Sequence, residues 1–208
     1  MLLFLDIISS IPEFCVIDDN KIILQQKITQ SETDKLSDNI IQSYIEIDKR
    51  LNLTKNLKKI STTIGPGSYT SLRVGAAFIS GLMISRDIPY YPLSIEDILK
   101  FNSIKYSRRN LAVFINSSNK QKFLCYKTKD NEIKYDKIEN NKYSIPQHID
   151  LILFNNSKIN ENNEIEQMKF SFFEDFYNNY NNLTFKKNII IKPIYISNNQ
   201  LLNWIELA

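Results

Sequence analysis

Glycine is scarce in this sequence and unevenly placed. The 208 residues contain four glycines, all between positions 65 and 81, whereas proteins use about 7% glycine on average. Neither the segment 9–13 nor anything after Gly81 contains one. Glycine-free loops do not let a backbone approach phosphate closely. The composition therefore argues against a self-sufficient kinase or ATPase.

Histidine and cysteine are equally sparse. The single histidine, His148, excludes any site that needs two histidine ligands. With no G-x-S-x-G segment, it also argues against a protease. We interpret His148 as a surface residue that caps or bridges near Pro146. Cys15 and Cys125 lie far apart in apolar stretches without C-x-x-C spacing, which predicts reduced core thiols. No catalytic or metal-ligating residue is predicted.

The opening segment does not have the pattern that we would expect of a membrane span or a leader. The opening MLLFLDII has no positive charge before its apolar run. Asp6 interrupts that run far short of the roughly 20 apolar residues that a membrane span requires. We expect a buried strand here and a cytoplasmic protein.

The first hundred residues predict the element order βββαβαβα. Short apolar runs predict strands at 2–8, 14–17 and 21–28, close enough to be antiparallel neighbours, and further strands at 60–64 and 90–93. Helices are predicted at 33–51, 68–85 and 94–104, with Ser31 and Asp34 capping the first and Ser94 and Asp97 the third. The first helix carries one apolar face, at Leu36, Ile40, Tyr44, Ile47 and Leu51.

The second half predicts a reduced copy of the same unit. Strands are expected at 111–115, 123–128, 133–138 and 149–154, a helix at 168–180, a polar loop at 155–163 and a closing helix at 201–207. Polar residues break the apolar pattern near 101–110. We therefore predict an α/β fold of two subdomains, 1–104 and 105–208, each with a mixed sheet and helices.

The glycine segment predicts a strand, a tight turn and a helix. Gly65-Pro66-Gly67 fits a type II turn with positive φ at Gly67. Ser68 is placed to cap the next helix, which would stabilise that helix by about 1 kcal/mol. A helix start of this kind exposes N–H groups that favour an anion. The sequence nevertheless lacks the P-loop pattern, and Thr70 replaces the third glycine of the dinucleotide pattern. We favour a turn and cap without a ligand.

The predicted helix at 68–85 carries small residues and a misplaced cation. Gly75 and Gly81 each cost a helix about 1 kcal/mol relative to alanine, and small side chains recur at 77, 81 and 85. This predicts a close neighbour, either the helix at 33–51 or a helix of a partner protein. Arg73 lies near the positive end of the helix dipole, so we expect an acidic partner or an anion beside it, a salt bridge within the chain being the alternative.

The string IGPGSYT at 64–70, followed by Leu72, Arg73 and Gly75, resembles the signature G-P-G-S-F-T-G-x-R-x-G of the TsaB (YeaZ) family. Asp6 in the opening strand, SIE at 94–96 and PIY at 193–195 resemble further family features. The sequence departs from the family pattern where Ile7 replaces the threonine after Asp6, where no histidine precedes Ser31 and where IS at 196–197 replaces Leu-Arg. These departures put nucleotide contacts near Asp6 in doubt.

The resemblance implies the actin-like ATPase, or ribonuclease-H-like, fold. It also implies a non-catalytic subunit of the bacterial machinery that installs threonylcarbamoyl on N6 of the tRNA adenosine beside the anticodon. Family members bind and support the catalytic paralogue TsaD, which the ATPase TsaE joins, and they contact tRNA through that complex. We expect no cofactor of its own, leave open a nucleotide at the TsaD interface, and expect a homodimer when the chain is alone.

The predicted site residues follow from this resemblance and from the two helices of the first subdomain. Asp6 is the one candidate for cofactor binding. The predicted partner-binding residues are Leu36, Ile40, Tyr44, Gly65, Pro66, Gly67, Ser68, Tyr69, Thr70, Arg73, Gly75, Ala77 and Gly81. TsaD itself is excluded as an identity because it uses a histidine pair to bind metal.

Two other functions stay open. One is an actin-like kinase or ATPase, against which the glycine-poor loops argue. The other is a tRNA-binding subunit, because residues 100–142 carry a net charge of +7 against −4 for residues 1–50. Aromatic residues that could stack bases interleave with these charges, at Phe101, Tyr106, Phe114, Phe123, Tyr126 and Tyr135. We prefer the interpretation that residues 100–142 form a strand-rich surface with solvated lysines.

Overall fold

The computed structural model describes residues 1–84, 86–107, 109–140, 143–159, 165–197 and 200–202. The strands are β1 Leu2–Asp6, β2 Glu13–Asp18, β3 Lys21–Lys27, β4 Lys59–Thr63, β5 Tyr90–Leu93, β6 Leu111–Asn116, β7 Lys122–Lys127, β8 Ile133–Ile138, β9 Leu151–Phe154, β10 Glu166–Lys169, β11 Tyr195–Ser197 and β12 Gln200–Leu202. The helices are α1 Leu36–Leu51, α2 Leu53–Asn56, α3 Tyr69–Ile84, α4 Ile95–Lys105 and α5 Phe172–Asn179.

Two five-stranded sheets repeat one plan. The first has the order β3-β2-β1-β4-β5, with β1, β2 and β3 antiparallel and β4 and β5 parallel to β1. The second has the order β8-β7-β6-β9-β10, with the same directions. The predicted fold class and the reduced second copy are confirmed. The predicted boundary near 101–110 falls at the end of α4 and in the loop after it.

The two halves share one hydrophobic core. Phe4 of β1 packs against two phenylalanines of α5, with ring centroids 5.6 Å from Phe173 and 4.7 Å from Phe176. A C-terminal helix therefore covers the first sheet. The backbones of Tyr90 and Lys186 exchange two hydrogen bonds at the edge of that sheet. Since burial of apolar side chains is the main favourable term in folding, this shared cluster joins the halves.

The N-cap prediction for the first helix is wrong, whereas that for the third is confirmed. The helix α1 begins at Leu36, and Lys35 stands at its N-cap without a side-chain cap. Ser31 and Asp34 bond to each other instead, because the Asp34 carboxylate accepts from both the backbone N–H and the hydroxyl of Ser31, each at 2.9 Å. Ahead of α4, Ser94 and Asp97 form a full capping box.

The predictions for the last forty residues fail in two places. Residues 166–169 form the edge strand β10, and α5 begins only at Phe172, with the Ser171 hydroxyl accepting from the N–H of Glu174. The strand has only four residues and no regular alternation of burial, so no periodic signal marks it. Leu201 and Leu202 belong to β12 rather than to a helix, and residues 203–207 lie outside the described residues. No helix within the described ranges is long and apolar enough to cross a membrane.

Candidate functional site

The glycine turn has a different geometry from the one predicted. The positive φ, +118°, belongs to Gly65 rather than to Gly67, and the Gly65–Pro66 peptide bond is cis. The type II turn is therefore wrong. A Cβ on Gly65 would lie 2.5 Å from the carbonyl oxygen of Ile194, whose N–H donates to the carbonyl of Ile64 at 2.7 Å. The segment 193–195 thus packs directly on the turn, and Gly65 is required by both its backbone angle and its neighbour.

The start of α3 is closed by the second half of the chain. The backbone N–H of Ser68 donates to the hydroxyl of Ser117 at 3.1 Å, and the side-chain amide of Asn119 donates to the Ser68 hydroxyl at 3.3 Å. A Cβ on Gly67 would lie 3.2 Å from that same Ser117 hydroxyl. The predicted anion position therefore has a hydroxyl of the chain itself as hydrogen-bond acceptor, which favours the ligand-free turn.

Further serines and asparagines continue this junction. The Ser71 and Ser118 hydroxyls lie 3.0 Å apart, and Ser9 forms an isolated β-bridge with Ser117. Two amides that follow β9 donate to hydroxyls that follow β1. We call this set the Ser/Asn cluster: Ser9, Ser10, Ser68, Ser71, Ser117, Ser118, Asn119, Asn155 and Asn156. Its hydrogen bonds join the loop after β1 and the start of α3 to the loops after β6 and β9.

Asp6 holds the loop that enters this cluster. Its side chain is buried at the end of β1, and Oδ1 accepts hydrogen bonds from the N–H of Ile8 at 2.9 Å, the N–H of Ser9 at 3.2 Å and the hydroxyl of Thr63 at 3.2 Å. Burial raises the pKa of Asp6, and these hydrogen bonds oppose that rise. The geometry makes Asp6 a residue that orders its own loop.

A cleft of about 500 Å³ lies beside Asp6, between the two halves. Its charged lining is mixed, with Lys27 and Lys169 against Glu13 and Glu174. Burial raises the pKa of Glu13, and the nearby Asp6 adds to the rise. No cluster of three His, Cys, Asp or Glu side chains within the described ranges could hold a metal ion. The mixed charges do not single out one class of ligand.

Arg73 points to an aromatic pair rather than to an acid. Its guanidinium lies 5.4 Å from the centre of the Tyr69 ring, and that ring lies 4.9 Å from the ring of Tyr195. No acidic partner of Arg73 occurs among the described residues, so the alternative of a salt bridge within the chain is not found there. Arg73 borders an apolar groove of about 570 Å³ between α3 and residues 188–191.

The predicted partner-binding residues divide into buried and exposed sets. Leu36, Ile40 and Tyr44 are buried, and the Tyr44 ring packs 6.1 Å from that of Phe14 and 5.3 Å from that of Phe78. The turn residues Gly65 to Ser68 and Gly75 are also buried. The exposed members are Tyr69, Thr70, Arg73, Ala77 and Gly81. Only this exposed set is accessible to a partner in this conformation.

The two helix glycines have opposite surroundings. A Cβ on Gly75 would lie 2.6 Å from Cδ1 of Ile7, so Gly75 permits close packing of α3 on the loop after β1. Among the residues that the structure describes, nothing lies within 4 Å of the corresponding position on Gly81. The expected close neighbour is therefore found for Gly75, whereas the described ranges contain none for Gly81. Ser85, the third small residue of the predicted stripe, lies outside the described residues.

Three isoleucines that the sequence analysis missed are exposed on α1 and α3, the helices that carry Tyr44 and Gly81. Ile41 and Ile45 of α1 are 56% and 39% exposed, and Ile84 of α3 is 87% exposed. Ile41 is next to Tyr44 on α1 and Gly81 is next to Phe78 on α3, since residues three apart are neighbours on a helix. Tyr44 and Phe78 join the two helices. In the sequence, the pairs of adjacent apolar residues at 40–41 and 44–45 could have indicated these exposed positions. We call Ile41, Ile45, Ala77, Gly81 and Ile84 the α1–α3 surface.

The basic second half is built differently from a base-stacking surface. Phe114, Phe123 and Tyr126 are buried in the core, so they cannot stack bases. Nε2 of His148 lies 3.1 Å from the carbonyl oxygen of Lys127, and a carbonyl only accepts, so this nitrogen carries the proton. The predicted bridging role of His148 is confirmed. Cys15 and Cys125 are buried free thiols.

Comparison with known proteins decides the family. A sequence model described as TsaD, tRNA N6-adenosine threonylcarbamoyltransferase, matches residues 23–197. The chain belongs to the TsaD family. No curated protein matches it in sequence. As a member of this family, the chain has a role in tRNA modification.

Two solved structures from Pseudomonas aeruginosa share the fold. One is an uncharacterised protein with similarity to peptidase YeaZ, with a TM-score of 0.62 and 11% identity, covering 94% of this chain and 99% of the other. The second is YeaZ, with a TM-score of 0.51 and 14% identity, covering 73% of this chain and 74% of the other. At these identities the matches establish the fold. With the family match, they bear out the resemblance to TsaB (YeaZ).

Proposed function

We propose that this TsaD-family chain is the non-catalytic subunit that docks a TsaD-like transferase through the α1–α3 surface. In this role it supports the transfer of threonylcarbamoyl to N6 of the tRNA adenosine next to the anticodon. A TsaE-like ATPase joins the same assembly, and any nucleotide binds at the interface with the transferase. When alone, two copies cover the surface with each other.

The open space over Gly81 is the observation that carries this proposal. An interior glycine costs a helix about 1 kcal/mol relative to alanine, and no neighbour in the described part of the chain accounts for it. Exposed isoleucines lie on the same two helices. Apolar surface of this kind is typical of interfaces, where the central residues carry most of the binding energy. A backbone that passes close to Gly81 would explain both features.

The non-catalytic assignment rests on the chemistry of the side chains. One histidine cannot supply a histidine pair for a metal. The Ser/Asn cluster supplies a protein acceptor for the Ser68 N–H at the start of α3, a position where a helix could otherwise bind a phosphate. The same cluster argues against the kinase or ATPase alternative.

A pull-down with the TsaD-like protein of the same genome tests the docking role. Gly81→Leu fills the open space and also improves helix propensity, so the variant should fold, as circular dichroism would verify. We expect at least tenfold weaker binding for Gly81→Leu, since a central bulky clash costs more than about 1.4 kcal/mol. Arg73→Ala, at the edge of the same surface, should weaken binding less.

Two controls define the outcome. Gly81→Ala adds a single methyl group, and Ile104→Ala removes an exposed isoleucine from α4; neither should abolish binding. If Gly81→Leu binds the transferase as tightly as the parent, the docking surface is wrong. Sedimentation supplies a second check, because the parent alone should dimerise while Gly81→Leu stays monomeric.

A further inference from the structure

A small polar cleft lies on the second half of the chain, away from the α1–α3 surface. It has a volume of about 290 Å³ and lies between α4, the loop before β6, the turn after β7 and the two residues His148 and Ile149 in the loop before β9. Lys127, Lys129, Arg109 and His148 line it, together with hydroxyl and amide side chains. Its lining is therefore rich in hydrogen-bond donors and positive charge.

Some of the charged side chains at this cleft already form contacts within the chain. Arg109 is used within the chain, because it pairs with Glu166 at 2.5 Å and donates to the carbonyl of Asp150 at 2.6 Å. Asp150 accepts from both the backbone and the side chain of Asn110, and these bonds, with the nearby Arg109, hold its pKa below the usual range. The acidic groups at the rim are thus already compensated.

Lys127 and Lys129 are the two lysines of the cleft whose charges are not used in this way. Both are exposed, and neither forms an ion pair with any described residue. They flank Thr128, whose N–H and hydroxyl are used in the turn with Glu132. Asp130, on the same turn, does not line the cleft. The His148 bond to the Lys127 carbonyl fixes one wall of the cleft.

The burial of the aromatic residues in this half determines whether the cleft can recognise bases or phosphates. Phe114, Phe123 and Tyr126 are buried in the core, and Phe101, Tyr106 and Tyr135 are half-buried and pack against it, so none of the six presents a fully exposed ring on which bases could stack. Ammonium groups beside a polar cleft match phosphate oxygens instead, and phosphate contacts position a nucleic acid without reading its sequence. The +7 charge of residues 100–142 adds long-range attraction for the same ligand.

We propose that this cleft binds a backbone phosphate of RNA through Lys127 and Lys129. The inference builds on the proposed function, since a subunit of a tRNA-modifying assembly brings its basic face near tRNA. Contact at this cleft is sequence-independent and helps to hold the tRNA body while the transferase acts on the adenosine. It is separate from the surface that docks the transferase.

Fluorescence anisotropy of a labelled tRNA transcript, titrated with the full chain at several salt concentrations, tests this proposal. We expect Lys127→Ala/Lys129→Ala to bind more weakly and to lower the slope of log K against log salt by about 2, roughly one for each lysine–phosphate contact. Lys55→Ala/Lys58→Ala removes the same charge from exposed positions in the first half and should leave the slope unchanged.

The remaining outcomes are decisive. Equal weakening by both double variants would mean that net charge alone binds RNA, and no weakening would remove the site. An unrelated RNA of equal length should bind equally well; strong preference for tRNA would overturn sequence-independent contact. Calorimetry with inorganic phosphate is the third arm: binding that the double variant loses, without any change for RNA, would assign the cleft to a free anion.

The two proposals fail separately. Lys127→Ala/Lys129→Ala should still pull down the TsaD-like protein, and Gly81→Leu should still bind tRNA as the isolated chain. Failure of the parent to bind the transferase would therefore overturn the proposed function and leave the RNA result standing.

Discussion

The backbone N–H of Ser68 donates a 3.1 Å hydrogen bond to the hydroxyl of Ser117, 49 residues further along the chain. Both residues are buried, at 1% exposure each. A helix start that would otherwise present a free donor is thereby bonded to the other half of the molecule. The bond links the glycine motif to the fold of the second half, and it can be tested by mutation.

Ser117→Ala should destabilise the protein by about 1–3 kcal/mol, because it leaves a buried N–H without its acceptor. Urea unfolding followed by circular dichroism measures this cost. Ser37→Ala is a matched control, since Ser37 is exposed at the start of α1. Equal stabilities for Ser117→Ala and the control would show that water replaces the serine hydroxyl.

Alanine at the two helix glycines should have different effects on stability. Gly81→Ala should stabilise the chain by about 1 kcal/mol, since it gains helix propensity and meets no neighbour among the described residues. Gly75→Ala places a methyl group 2.6 Å from Ile7, and crowding of this kind costs about 1–3 kcal/mol, enough to cancel or reverse the same gain. Thermal unfolding of both variants gives the comparison; a stabilised Gly75→Ala would contradict the packing described here.

Asp6 should make the protein less stable as the pH rises above its unfolded pKa. Burial raises the folded pKa above the reference value of 3.8, so between the two values the folded state binds more protons, and stability falls with rising pH. Below about pH 4 this penalty is absent. Asp6→Asn removes the ionisation and should gain stability relative to the parent as the pH rises from 4 to 7. Urea midpoints at several pH values measure the difference, and a constant difference would rule out titration of Asp6.

Local patterns in the sequence determined most of the elements. Short apolar runs predicted β2, β3 and β8, and the Ser94 and Asp97 pair predicted the start of α4. These features depend on residues only a few positions apart, so a window of the sequence contains the relevant physics. The glycine motif also carried the family resemblance, because its residue types are needed wherever that turn is built.

Tertiary structure decided which of the predicted site residues are accessible. The apolar face of α1 predicted Tyr44 as a partner-binding residue, but Tyr44 is buried and packs against Phe78 of the same chain. Gly65 combines a positive φ with close packing by Ile194, and the Ser68 N–H has its acceptor because Ser117 lies there. Contacts over such separations depend on how the two sheets are placed. No local pattern distinguishes a face that is covered by the chain from one that remains exposed, which is why only the fold separated Gly75 from Gly81.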